Sequence, residues 1–291
     1  MDREDRAPAG AAESPGGREL VEVAPGVHVA TAGLWATTST VVVGPDGTAL
    51  VVDPGVSVAE LAALAATVRA RGWRVTAGFS THPHWDHVLW HPALGHVPRW
   101  ATARAAVAAA HDRDAARAAA EADAPGHDPA LVGALDPLPA GATSLPWPER
   151  PDANGPDRPR VVAHDAHARG HAALVVRGAV IAGDMLSDVE VPLVDVASSD
   201  PLGTYRAALD LIEDAARGAH VLVPGHGSPA RGEGALAARL AADRAYLDAL
   251  EHAVAGPGRE VADDRLHGYV ADWHAEQLDA LLSRQAGPRR G

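Results

Sequence analysis

Short blocks of apolar residues dominate the first quarter of the chain. Val21-Glu22-Val23, Val27-His28-Val29, Val41-Val42-Val43 and Ala49-Leu50-Val51-Val52 each read as a strand. Gly44-Pro45-Asp46-Gly47 joins the last two as a hairpin turn. Asp53-Pro54-Gly55 ends the block. Ser57 with Glu60 three residues on forms a capping box, and it opens a helix whose Val58, Leu61, Leu64, Ala65 and Val68 share one face until Gly72 stops it. A further strand is expected over residues 74–80.

Beyond Trp100 the rhythm changes. Residues 102–122 form an Ala/Arg-rich helical stretch, and residues 123–159 are dense in Pro, Gly and Asp. The whole of 101–159 reads as an insertion, either a lid or pocket wall over a site or a tolerated surface excursion. Strand patterns return over 160–163 and as a hairpin over 172–181 that turns at Arg177-Gly178. Asp200-Pro201 opens a helix with Leu202, Tyr205, Leu209 and Ile212 on one face, and 220–223 is another short strand. Two amphipathic helices are expected near 234–253 and 263–283, the last with Leu266, Val270, Trp273, Gln277 and Leu281 at helical spacing.

The alternation of strands and helices indicates an α/β class. With 291 residues and 47% hydrophobic content, one substantial core is within reach. The expected organisation is a disordered tail over 1–17, a single domain over 18–285 carrying the insertion, and a flexible end over 286–291. The first 17 residues carry charges, Pro and Gly where a signal peptide needs an apolar stretch, and no apolar run reaches spanning length, so a cytoplasmic location is expected. There is no cysteine, which removes disulfides, thiolate nucleophiles and iron-sulfur clusters, and leaves any metal to nitrogen and oxygen ligands. The net charge of −13 and the absence of lysine argue against nucleic acid or an anionic membrane as partners.

Chemistry concentrates at strand ends. Thr81-His82-Pro83-His84-Trp85-Asp86-His87 directly follows the strand predicted over 74–80. His82 and His84 lie two apart and project to one side of an extended segment, so they can chelate one ion together. Asp86 and His87 follow where the chain begins to turn, which redirects them to a second position close by. Three later strands also run into polar residues beside glycine: His164-Asp165-Ala166-His167-Ala168-Arg169-Gly170-His171, then Gly183-Asp184, then Pro224-Gly225-His226-Gly227.

In these motifs the sequence resembles the metallo-β-lactamase superfamily. The family pattern is His-x-His-x-Asp-His, a histidine in a Gly-His-x-x-Gly-His context, an aspartate after an apolar strand with glycine, and a late Pro-Gly-His-Gly histidine. The elements occur here in that order across about residues 20–230, with Ala166 standing where many members carry glycine. The resemblance implies a four-layer αββα sandwich with a helical insertion and C-terminal helices. It also implies two divalent ions, zinc first and iron or manganese as alternatives. His82, His84 and His167 would hold one ion, Asp86, His87 and His226 the other, with Asp184 bridging.

Such a pair, roughly 3.5–4 Å apart, lowers the pKa of a shared water from near 16 to about 7. The expected function is a hydrolase in which that hydroxide attacks a small-molecule ester, thioester or lactone, with Asp86 orienting it and passing its proton on. Asp184 and the lack of cysteine favour these substrates over the cysteine-dependent β-lactamases. A ribonuclease Z-like phosphodiesterase shares the ligand set, but the charge opposes it. A mononuclear-iron oxidoreductase resembling persulfide dioxygenase has nearly the same motif, whereas di-iron flavin enzymes carry glutamate at the position of His84.

Several residues keep two readings. Asp53 either hydrogen-bonds a ligand histidine or serves the start of the following helix. His171 either supports the ligands or makes a structural hydrogen bond, and His164 reads as a strand histidine. Arg169 is either a contact for a substrate carboxylate or phosphate, or a solvent-facing side chain. Trp85, Trp90 and Trp100 either line an apolar pocket or pack a core. The terminal helix could contribute to a homodimer.

Overall fold

The structure is a computed structural model that describes residues 19–148, 155, 157–256 and 260–285. The tail expected over 1–17 and the end expected over 286–291 lie outside the described residues. Twelve strands and six helices follow in order: β1 (Val21–Ala24), β2 (Val27–Thr31), β3 (Thr38–Val43), β4 (Thr48–Val52), α1 (Val58–Ala70), β5 (Arg74–Phe79), β6 (Arg99–Ala101), α2 (Ala103–His111), α3 (Arg113–Asp123) and β7 (Asp136–Pro137). Then come β8 (Arg160–Ala163), β9 (Ala172–Val176), β10 (Ala179–Gly183), α4 (Pro201–Ala215), β11 (Val221–Pro224), β12 (Ala230–Arg231), α5 (Glu233–Ala255) and α6 (Tyr269–Gln285).

The strands form two mixed sheets. The first runs β1-β2-β3-β4-β5-β6-β7, antiparallel up to β4 and parallel beyond it. The second runs β12-β11-β10-β9-β8, with β10 and β11 parallel. Because side chains alternate across a strand, a strand that is apolar at every position must be covered on both faces. In β4, Leu50 and Val52 enter the core between the sheets with Phe79, Leu174 and Val223, while Ala49 and Val51 face Leu61, Leu64 and Val68 of α1. In β10, Ala179 and Ile181 point to that same inter-sheet core, while Val180 and Ala182 pack under α4 and α5 through Tyr205, Leu209, Leu247 and Leu250. The result is the four-layer αββα sandwich.

Local signals in the sequence account for most boundaries. Ser57 Oγ accepts from Glu60 N while Glu60 Oε2 accepts from Ser57 N, so α1 is capped as its sequence predicts. The Asp200 carboxylate caps α4 by accepting from Gly203 N. The hairpin between β9 and β10 turns through Arg177 (φ 49°) and Gly178 (φ 73°), the two left-handed residues that a tight hairpin needs.

One expectation is refined and two are corrected. The helical stretch over 102–122 is divided in two, because Asp112 (φ −95°, ψ 14°) ends α2 and begins α3. The last helix starts at Tyr269 rather than near 263, since Arg265 turns inward to Asp243 and Gly268 (φ 54°) takes a left-handed conformation that an α-helix cannot continue through. Finally, residues 123–159 are not confined to the surface: Leu138, Leu145 and Trp147 enter the inter-sheet core, with Trp147 Nε1 donating to Thr76 Oγ1. No helix among the described residues is long and apolar enough to cross a membrane.

Candidate metal centre

The C-terminal ends of β5, β8, β10 and β11 converge on one edge of the sandwich, where a rigid pair of sheets can aim side chains from distant parts of the chain at one point. After β5 the backbone bends through residues 81–84, with His84 itself at extended angles (φ −67°, ψ 150°), and then tightens into a 3-10 turn over Trp85–His87. That change of geometry splits the motif. His84 Nδ1 lies 3.1 Å from His82 Nε2 and 2.9 Å from His167 Nε2, whereas Asp86 Oδ2 lies 3.2 Å from His87 Nε2 and 3.3 Å from His226 Nε2.

Asp184, just past β10, faces both sets. Its Oδ2 is 3.3 Å from His82 Nε2, 3.4 Å from His167 Nε2 and 3.2 Å from His226 Nε2, while Oδ1 is 3.1 Å from His87 Nε2. The candidate ligand atoms fall into two compact groups, His82, His84, His167 and Asp184 in one and Asp86, His87 and His226 in the other, each within 4.8 Å. All of these side chains except His84 are at most 7% exposed. His84 is exposed and marks the open side. Glycine makes the crowding tolerable, since a Cβ at Gly225 would sit 2.0 Å from Asp184 Oδ1.

The donor set fits divalent cations. Seven imidazole and carboxylate groups suit zinc and its neighbours. Buried Asp184 Oδ1 has no hydrogen-bond partner among the described residues, although His87 Nε2 lies 3.1 Å from it, which is the arrangement of an atom that meets a cation. Burial alone would raise the carboxyls of Asp184 and Asp86, yet the imidazoles of His226 and His87 overcome it and hold both well below the usual carboxylate range. In turn burial lowers His87 and His226, but the Asp184 and Asp86 carboxylates outweigh it and raise both well above the usual imidazole value. The pocket draws positive charge.

Outer hydrogen bonds set which ring nitrogen faces inward. His167 Nδ1 donates to Leu193 O (2.8 Å) and His226 Nδ1 to Trp35 O (3.1 Å), with Thr37 Oγ1 at 3.2 Å, so both turn Nε2 to the centre. His82 Nδ1 lies 3.0 Å from Thr81 Oγ1. Asp53, in a left-handed conformation (φ 46°), accepts from Thr81 N and Thr81 Oγ1, and its Oδ2 is 3.1 Å from His87 Nδ1, at ion-pair distance but off the hydrogen-bond axis. The cap of α1 is Ser57, not Asp53. Asp53→Asn removes the negative charge 3.1 Å from His87 Nδ1, so affinity for an ion on His87 is expected to fall roughly 10–100-fold in a zinc competition titration.

Other sequence candidates divide. His171 stacks on His82 at 4.9 Å, accepts Asp184 N at Nε2 and meets His164 Nε2 through Nδ1, so it lies behind the ligands and holds the backbone of Asp184. Arg169 is exposed and makes no hydrogen bond or ion pair among the described residues. Trp85 packs edge-on to Trp35 at 5.7 Å and against Val56, whereas Trp90 packs over Gly78 and Arg99, and Trp100 against the inter-sheet core. Ala166 does not have positive φ, so alanine fits where a glycine was expected. Glu190 has no motif in the sequence. It lies 3.7 Å from His226 Nδ1, and burial pushes its carboxyl up to about 7.

No curated protein matches the chain by sequence. Among solved structures, a β-lactamase domain protein from Burkholderia ambifaria superposes with a TM-score of 0.64 at 21% identity, covering 95% of this chain and 92% of that one. A metallo-β-lactamase family protein from Thermus thermophilus gives 0.62 at 23% identity, with 91% and 95% coverage. A metallo-β-lactamase from Erythrobacter litoralis gives 0.55 at 18% identity, covering 76% of this chain and 94% of its own. These likenesses establish the fold. A family model described as the metallo-β-lactamase superfamily matches residues 32–226, the span that carries every proposed ligand. The chain belongs to the metallo-β-lactamase superfamily, whose members are mostly metal-dependent hydrolases.

Proposed function

We propose that this protein hydrolyses a small-molecule ester, thioester or lactone with two divalent metal ions, zinc by preference. His82, His84 and His167 hold one, Asp86, His87 and His226 the other, and Asp184 serves both. The observation that carries this reading is Asp184, which brings one carboxylate within 3.4 Å of a nitrogen from each histidine set. Bound ions would supply an acidified water, with a pKa of about 7, and a Lewis acid for the substrate oxygen.

The chain's own groups complete the chemistry. Asp86, beside His87 and His226, orients the water and passes its proton on to the leaving group. His84 gives the substrate its access, and the buried walls exclude bulk water. A net charge of −13 disfavours a polyanionic substrate and supports a small molecule.

A hydrolysis panel of thioesters, lactones, β-lactams and phosphodiesters tests the reading. Turnover is expected on the first two classes, lost after treatment with a chelator and restored by zinc. Turnover that survives complete metal removal, or appears only on phosphodiesters, contradicts it. A single iron per chain with oxidation of a persulfide would assign the protein to the oxidoreductase branch instead.

A further inference from the structure

The two histidines that arrive late in the chain, His167 and His226, each donate Nδ1 to a backbone carbonyl of a loop, with Thr37 Oγ1 also beside His226. His226 Nδ1 donates to Trp35 O, and His167 Nδ1 to Leu193 O. The Trp35 turn is closed by Thr37 N donating to Leu34 O and Ala32 N to Thr37 O, yet its backbone is strained. Trp35 (φ 53°) and Ala36 (φ 52°) are consecutive non-glycine residues in the left-handed region, a conformation that persists only where surroundings impose it. Leu193 lies in the irregular segment between β10 and α4.

The last helix, α6, braces both loops. Trp273 packs edge-on against Trp35 at 5.5 Å and Tyr269 lies 6.3 Å from it, with Trp85 on Trp35 as well. The Tyr269 hydroxyl also donates to Glu190 Oε1 (3.2 Å), the atom 3.7 Å from His226 Nδ1. Two turns further along, buried Gln277 accepts Val194 N (2.6 Å) and donates to Pro192 O (3.1 Å), gripping the residues on either side of Leu193. By contrast His82 and His87 are held from the first sheet, by Thr81 and Asp53, with the carbonyl of His87 fixed by Ser80.

We propose that α6 is a positioning element of the metal centre, holding His226 through Tyr269 and Trp273 and His167 through Gln277, so that each end of the helix sets the affinity of a different ion. The inference rests on the two-ion reading above. It goes beyond that reading by assigning a role to a helix outside the residues matched by the family model.

The test is titration of the metal-free full chain with cobalt(II), followed by calorimetry and visible absorption, with His84→Asn and Asp86→Asn variants used to assign the two binding phases. Tyr269→Phe and Trp273→Ala are expected to weaken the phase assigned to Asp86, His87 and His226 by about 10–100-fold, leaving the other within about threefold. Gln277→Met is expected to do the reverse, and Trp273→Phe to restore most of the loss. The altered phase should also show a shifted cobalt absorption band, which a general loss of stability would not confine to one ion. Should Gln277→Met fail to fold, Tyr269→Phe, which removes one hydroxyl, still decides the matter. Two phases unmoved by Tyr269→Phe and Trp273→Ala, or both phases weakened equally, overturn the brace alone. A wild-type chain that takes up no cobalt overturns the metal-centre reading together with the brace.

Discussion

Asp184→Asn is expected to lower kcat/KM by roughly 10³-fold, a loss of about 4 kcal/mol of transition-state stabilisation, and to reduce bound metal from two ions toward one. The substitution keeps the shape of the side chain, so the close passage of Gly225 is undisturbed. It removes the charge and replaces one acceptor oxygen by an amide donor. The native carboxylate has nitrogens of four histidines within 3.4 Å, and the amide would direct its hydrogens at an ion or at a bare imidazole nitrogen. Steady-state kinetics beside metal analysis decide the point. Full activity with a single bound ion would show that the two histidine sets do not work as a pair.

Arg265→Met is expected to be the most damaging change outside the ligands, at about 3–5 kcal/mol of stability and a Tm lower by roughly 10 °C. Arg265 is 8% exposed and pairs at 2.7 Å with Asp243, which is 1% exposed. The same guanidinium donates to Ser187 O and Glu190 O, while Asp243 Oδ2 accepts Leu186 N, so the pair fastens the segment after Asp184 to α5 and to the turn that precedes α6. Burial already pushes the Asp243 carboxyl up to about 6 in spite of the arginine. Without the arginine, a buried carboxylate is left uncompensated. The double variant Asp243→Leu/Arg265→Met is expected to regain most of the loss, because removing both charges also removes their desolvation cost. Thermal denaturation of the two variants separates the outcomes, and a single variant as stable as wild type would show that the pair contributes little.

What could be read from the sequence follows the range of the interaction involved. The capping box at Ser57 and Glu60, the Gly44–Gly47 turn and the Arg177-Gly178 hairpin are local, and each appears where its residues predict. The apolar runs of β4 and β10 announce strands covered on both faces. His82, His84, Asp86 and His87 stand out because four ligand-type side chains in six residues have no packing explanation, and their division into two groups follows from the 3-10 turn that begins at Trp85. Glu190, Gln277 and the carbonyls of Trp35 and Leu193 carry no such pattern. Carbonyl contacts are independent of side-chain identity, and Gln277 reads as one more position on an amphipathic face until the fold brings Pro192 and Val194 to it. The same limit hid Trp147 in the inter-sheet core and the inward turn of Arg265 that delays α6.

The central claim is that seven side chains hold two ions. Anomalous diffraction at the zinc edge from crystals of the zinc-loaded protein tests it most directly. Two peaks are predicted, one among His82, His84 and His167 and one among Asp86, His87 and His226, with Asp184 in contact with both. A single peak, or zinc bound away from Asp184, would contradict the account.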